Sequence, residues 1–257
     1  MNYFLIVSYD GTDFNGWQAQ KKTALRTVQE TLCTAAKDVF QKDVVITASG
    51  RTDAGVHALC QVCSFSAETT VPPEKIADCF NMKLPADVRV LQSGVAEDAF
   101  DACRCAKRKT YMYSLYFSRR ENPLKERYCV RVSGEPDFEK MMSAAKMLEG
   151  EHDFKAFCAA NSAVKTTIRT VYSVRLRREN IFSGEELKIY VTGNGFLYNM
   201  VRTVAGTLLD IGFGRKTFED LKDALQTGDR SKVGRTMPAK GLCLISVEYD
   251  KNFTEIS

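Results

Sequence analysis

The sequence predicts an α+β fold made of two halves with the same plan. Strand-like and helix-like segments follow one another as β-α-β-β-α-β through residue 97, and the series returns, with insertions, in the second half. No low-complexity linker separates the halves, so they are expected to share a substantial interface. That order is the split βαβ, or ferredoxin-like, arrangement: an antiparallel sheet with helices on one face. Two such units joined edge to edge give one wide central antiparallel sheet, helices on one side, and a cleft between the halves. The boundary is set at 1–103 and 104–257. The repetition is one of topology, without a clear sequence repeat.

In the first half, Tyr3 to Tyr9 is apolar and β-prone. Asp10 to Trp17 is a polar, glycine-bearing loop with the only tryptophan. Thr27-Val28-Gln29-Glu30 is a capping box, followed by the helical stripe Val28, Leu32, Ala35, Ala36 and Val39. Strands are expected at 44–49 and 59–66. Pro72-Pro73 opens a helix to about Lys83, Pro85 ends it, and Val88 to Val95 closes the half as a strand.

In the second half, Lys109 to Phe117 alternates as a strand, and Tyr128 to Val132 returns beside it. Asp137 caps a helix whose stripe is Phe138, Met141, Met142, Ala145 and Leu148. Thr167 to Arg177 alternates apolar and basic residues, with Glu186 to Thr192 as its neighbour. Helices are expected at Asn199 to Asp210 and Thr217 to Leu225, and a last strand at Leu242 to Tyr249.

Composition excludes several classes. Hydrophobic residues make up 44% and charged residues 26% of 257, as in globular proteins. Nothing approaches the ~18 consecutive apolar residues of a membrane span. No basic segment precedes an apolar run at the N-terminus, so a cytoplasmic location is expected. The net charge of +4 is mild, but it is clustered. Arg104, Lys107, Arg108 and Lys109 precede Tyr111, Arg169, Arg175, Arg177 and Arg178 form a second group, and Arg230, Lys232, Arg235 and Lys240 a third. Cations beside aromatics suit a polyanion with exposed bases, and equally an ordinary solvated surface. The nine cysteines have irregular spacings and read as small, reduced, buried apolar residues rather than disulfides. Cys60 and Cys63 lie three apart in a strand, on opposite faces, and cannot converge on one ion. Cys103 and Cys105 would share a strand face but lack partners. No metal or cofactor is expected.

Gly50-Arg51-Thr52-Asp53-Ala54-Gly55-Val56-His57 stands out, with two glycines, a guanidinium and a carboxylate between two strands. Taken alone it is an ordinary turn. It is also how a reactive carboxylate is often presented. Rival chemistry is missing. No G-x-S-x-G elbow, Cys-His pair, P-loop or dinucleotide fingerprint is present. His152 sits in the expected loop Gly150 to Phe154, beyond a helix. With those signals absent, a lone carboxylate is favoured, and Asp53 is the best placed.

This motif resembles the signature of the TruA family of tRNA pseudouridine synthases. Five other segments match that family in order: Tyr9 to Gln18, Arg108 to Tyr113, Gly150 to Phe154 with Phe157, Gly195 to Arg202, and Pro238 to Leu244. Met237 departs from the pattern, which usually has a small residue before the proline. Its side chain is expected to alter packing beside the uracil pocket without touching a catalytic group.

The resemblance implies an isomerase acting on uridines 38, 39 and 40 of the tRNA anticodon stem-loop. It needs no redox step, ATP or metal. Asp53 would be nucleophile or base once the uridine is flipped out. Arg202, from the other half, would pair with Asp53 and keep it ionised. Tyr111 would stack on the uracil and take part in proton transfer, a role that Tyr113 and Tyr116 suit less well than core packing. Leu242 and Leu244 would wall the pocket. Arg51 would occupy the place the base vacates, and Lys107, Arg108 and Lys109 would hold RNA. His57 is left as structural. Family members resemble homodimers whose cleft the second subunit completes. A non-catalytic RNA-binding module would keep the basic face without needing Asp53 paired. A glycosylase would need a second carboxylate as general acid, and none is apparent.

Overall fold

The computed structural model describes residues 1–19, 25–159, 164–181 and 184–250. It is a mixed α+β protein in two compact units. One comprises Met1–Lys109 with the chain from Leu244; the other is Thr110–Cys243.

In the first unit β1 (Asn2–Tyr9) is central and buried along almost its whole length. It pairs antiparallel with β3 (His57–Ser66) and with β4 (Val88–Ala96). Leu5 is thus opposite Cys63 on one side and Ser93 on the other. β2 (Thr47–Ala48) pairs antiparallel with β3, and β10 (Leu242–Glu248) also neighbours β3. α1 (Val28–Phe40) and α2 (Ile76–Asn81) cover one face. Phe40 of α1 meets Phe65 of β3 at 5.6 Å and Phe80 of α2 at 5.8 Å between ring centres. Phe65 in turn stacks on Tyr3. Each of these buried rings stabilises the layer by about 1.5–3 kcal/mol.

In the second unit β5 (Arg108–Phe117), β9 (Gly184–Gly193), β8 (Ile168–Ile181) and β7 (Gly150–Asp153) are neighbours in that order. β6 (Val130–Val132) pairs with β5. α3 (Phe138–Met147), α4 (Met200–Gly212) and α5 (Phe218–Thr227) complete the unit. α4 is apolar nearly all round and is buried accordingly.

The caps behave as their chemistry requires. Asp137 accepts from the Lys140 amide at 3.0 Å. Thr217 and Asp220 form a full reciprocal capping box at α5. At α1 the Thr27 hydroxyl accepts from Glu30 N–H at 3.4 Å, so the expected box is present by its threonine arm.

Several expectations need correction. The strand over 44–49 shrinks to Thr47–Ala48, because β3 offers the same edge to β2 and to β10. Val45 is consequently 79% exposed. β6 runs parallel to β5, with Leu115 opposite Val130, so it is not a simple hairpin return. His152 lies in strand β7 rather than in a loop, opposite Arg169. Residues 102–105 form a turn and a bend rather than a strand, so Cys103 and Cys105 share no strand face. Pro73–Lys75 is a 3-10 turn, and the α-helix proper starts at Ile76. No helix among the described residues is long and apolar enough to cross a membrane.

Candidate active site

The loop 50–57 connects β2 to β3 in the first unit and is gripped on two sides. On one side the Asp10–Trp17 segment lies against it. Trp17 N–H donates to Thr52 O at 3.0 Å, and Gly55 N–H donates to Phe14 O at 3.2 Å. The Thr52 hydroxyl meets the Tyr9 hydroxyl at 2.7 Å. Gly11 and Gly16 permit this approach. A Cβ on Gly11 would lie 2.0 Å from Val56 O, and one on Gly16 would lie 2.7 Å from Thr52 O. Within the loop, Val56 N–H donates to Asp53 O at 3.1 Å, which tightens the turn around Asp53.

On the other side a buried polar group fixes the start of the loop. Ser49 is fully buried; its hydroxyl donates to Gln61 Oε1 at 2.6 Å, and Gln61 Nε2 donates to Gly50 O at 2.9 Å. Lys109 Nζ donates to Ser49 O. Burial pushes the Lys109 ammonium below the ordinary lysine range. Its head therefore serves the root of the loop, and meeting a phosphate would mean breaking that bond.

Between these grips Asp53 is half-buried, Thr52 is buried and Arg51 is exposed. Among the described residues, no hydrogen bond or ion pair holds the Arg51 guanidinium. His57 is buried, and its Nδ1 accepts the Gly11 amide at 3.0 Å. Asp10 Oδ1 lies 3.1 Å from that nitrogen and also accepts from the Thr12 amide and hydroxyl. His57 thus ties the two loops together.

In the second unit, every residue of α4 is buried except Arg202, which is half-buried. Arg202 Nε donates to Met237 O at 2.7 Å, and Arg202 Nη1 donates to Asn199 Oδ1 at 2.8 Å. Met237 N–H in turn donates to Arg202 O at 3.3 Å. Met237, whose side chain is fully buried, holds Arg202 through its main chain, a contact that does not depend on the methionine side chain. Asn199 has φ 65° and was missed by the sequence reading. Its position three residues before Arg202 was the available signal.

Tyr111 is buried and packs edge-to-face on Phe196 at 5.3 Å. Phe196 stands on the turn after β9, which is pinned to β8 by Asn194 N–H to Thr170 O at 3.0 Å and Thr170 N–H to Asn194 Oδ1 at 3.1 Å. Tyr113 and Tyr116 are fully buried. Tyr113 donates to Pro238 O at 2.7 Å, and burial raises its phenol above the ordinary range. Leu242 and Leu244 are buried and lie two apart on β10, hence on one face.

Lys107 is exposed and pairs with Asp250 at 3.0 Å; Arg108 is exposed. The nine cysteines are free thiols, but only Cys63, Cys129 and Cys243 are buried and Cys103 is exposed. The description of all nine as buried apolar residues is thus too broad. Burial and the neighbouring Glu186 push the Cys129 thiol up to about 11, far from a reactive thiolate. Among the described residues no group of three or more His, Cys, Asp or Glu side chains is placed to hold a metal ion.

Comparison with known proteins agrees with the motifs. The sequence profile of the tRNA pseudouridine synthase family matches residues 5–133 and 144–250. The chain is 42% identical over 248 residues to tRNA pseudouridine synthase A of Thermoanaerobacter sp. (strain X514), covering 96% of this chain and 99% of that one. It is 40% identical over 248 residues to tRNA pseudouridine synthase A of Caldicellulosiruptor bescii, covering 96% and 99%. It is 37% identical over 249 residues to tRNA pseudouridine synthase A 2 of Clostridium tetani, covering 97% and 99%. Among solved structures, a Cbf5-Nop10-Gar1 complex aligns at TM-score 0.37 and 14% identity, over 94% of this chain and 57% of that one, too distant to bear on fold or activity. With a profile match over most of its length and relatives matched nearly end to end, this chain belongs to the tRNA pseudouridine synthase family, whose members isomerise uridine to pseudouridine.

Proposed function

We propose that the enzyme acts on uridines 38, 39 and 40 of the tRNA anticodon stem-loop, with Asp53 as nucleophile or base on a flipped-out uridine. The observation that carries this is the Asp53 loop itself. A half-buried carboxylate stands on a turn gripped from both sides, two residues from an exposed guanidinium. Rigid presentation of one carboxylate is what a single-residue mechanism needs.

In the reaction the bond from C1′ to N1 breaks, the uracil turns, and C1′ bonds to C5. The C5 proton leaves and N1 gains one, so the net change is an isomerisation. Attack at C1′, attack at C6 and removal of the 2′ proton all use an ionised Asp53. Arg202 is its charge partner, Tyr111 stacks on the uracil and assists proton transfer, and Leu242 and Leu244 wall the pocket. Arg51 fills the gap left in the RNA stem, which offsets part of the few kcal/mol that flipping costs. Lys107 and Arg108 meet phosphates, with Lys109 free to join them only after releasing Ser49 O. The protein works in the cytoplasm as a homodimer, and each chain is a pair of ferredoxin-like halves, divided near residue 103, that share a sheet and bound a cleft. The neighbour order β4-β1-β3 with β2 on β3, all antiparallel, supports that reading for the first half.

The test is to treat a tRNA transcript carrying uridine at 38, 39 and 40 with the enzyme, and to map pseudouridine by carbodiimide-dependent stops in reverse transcription. Stops confined to those positions are expected. Modification only outside the anticodon stem-loop contradicts the proposal. Light scattering should give twice the 28.8 kDa chain mass, and a monomer would remove the dimer from the account.

A further inference from the structure

We infer that Asn199 is a positioning residue that sets the orientation of the Arg202 guanidinium for catalysis. The inference rests on the reading that Arg202 serves the reaction. Asn199 occupies the N-cap position of α4, where asparagine ordinarily adopts extended backbone and accepts from the amide three residues on. Here it does neither. Its backbone is left-handed, φ 65° and ψ 0°, and its side chain makes no cap bond. Its Oδ1 instead accepts from the side chain of that third residue, Arg202 Nη1, at 2.8 Å. The left-handed region is costly for most side chains and is tolerated best by glycine and asparagine. Glycine would fit the turn but supplies no acceptor; asparagine fits it and supplies one.

The second holding point is the Met237 carbonyl on Nε at 2.7 Å. Two acceptors on two different nitrogens fix a planar guanidinium in both tilt and rotation. The rest of α4 is buried, so Arg202 is the one residue of this helix with a reachable side chain, and it is the one that is clamped. Without Asn199 the guanidinium loses the acceptor that holds Nη1, and its orientation is less restrained. The charge remains, but its fork no longer points one way.

The experiment compares Asn199→Gly, Arg202→Lys and the double variant by single-turnover pseudouridine formation, tRNA binding and thermal melting. Asn199→Gly retains the left-handed turn and removes only the acceptor, so it should melt within about 2 °C of wild type. Its kcat should fall about tenfold with little change in KM, the size expected for one hydrogen bond to a charged group. Against an Arg202→Lys background the same change should cost less than about twofold, because the group it orients is gone. An Asn199→Gly loss that persists undiminished in the double variant would overturn the inference, as would no loss at all while Arg202→Lys is impaired. Full activity in Arg202→Lys would remove the reading of Arg202 itself, and the inference with it.

Discussion

At the scale of single residues, two side chains around one turn separate by what they face. Arg51 faces solvent, so Arg51→Lys should lower turnover more than tRNA affinity; equal loss of both would mean it only binds. Lys109 faces inward onto Ser49 O. Lys109→Met removes that donor beside a buried hydroxyl network, so it should cost about 1–3 kcal/mol in urea denaturation and lower turnover too. Unchanged stability would show that solvent serves Ser49 O as well as the ammonium does. The candidate residues themselves were legible, because Asp53, Arg51, Tyr111 and Arg202 each sit in an ordered motif resembling the family's. The grips were not. Lys109 lies beside Lys107 and Arg108 in a basic run that reads as surface, and nothing in its neighbours says that its head turns back on a residue 60 positions earlier. Asn199 was hidden for a different reason: the periodicity placed it inside the helix as its first residue, whereas the helix starts at Met200 and Asn199 is left-handed.

At the scale of elements, α4 depends on a close approach that only glycine allows. A Cβ on Gly206 would lie 1.9 Å from Arg235 O, and one on Gly234 would lie 2.6 Å from the Gly206 carbonyl carbon. Gly206→Ala must therefore push the 234–236 segment off the helix. It should cost about 3 kcal/mol or more, and it should lower turnover in the folded fraction, because the displaced chain leads to Met237. Wild-type turnover in that fraction would uncouple the segment from Arg202. The α5 capping box gives a pH test. Hydrogen bonds from Thr217 hold Asp220 below the ordinary carboxylate range. A depressed folded pKa means that the contribution is complete above the unfolded value of ~3.9 and is lost as pH falls through the lower, folded one. The melting difference between wild type and Asp220→Asn should thus be steady from neutral pH down to about 5 and close below about 4. The elements read well from sequence where periodicity ran long, as in α1 and β8. They read poorly where tertiary competition decided, as at β2, where one edge of β3 serves two strands.

At the scale of the whole molecule, a net charge of +4 is too small to bind RNA by bulk attraction, so local cations must do the work. Replacing Lys107 and Arg108 together by alanine should reduce the slope of log affinity against log salt by about 1–2. An unchanged slope would place the phosphate contacts elsewhere. The family and the α+β class were both legible from the order of motifs and elements, whereas pairing partners across long separations depend on the folded chain. The central claim is that one carboxylate, Asp53, carries the isomerisation. The most direct measurement is tritium release from tRNA labelled at uracil C5, with wild type and Asp53→Asn compared at matched tRNA occupancy. Wild type should release tritium, and Asp53→Asn should bind the same tRNA and release none. Sustained release by Asp53→Asn would contradict the claim.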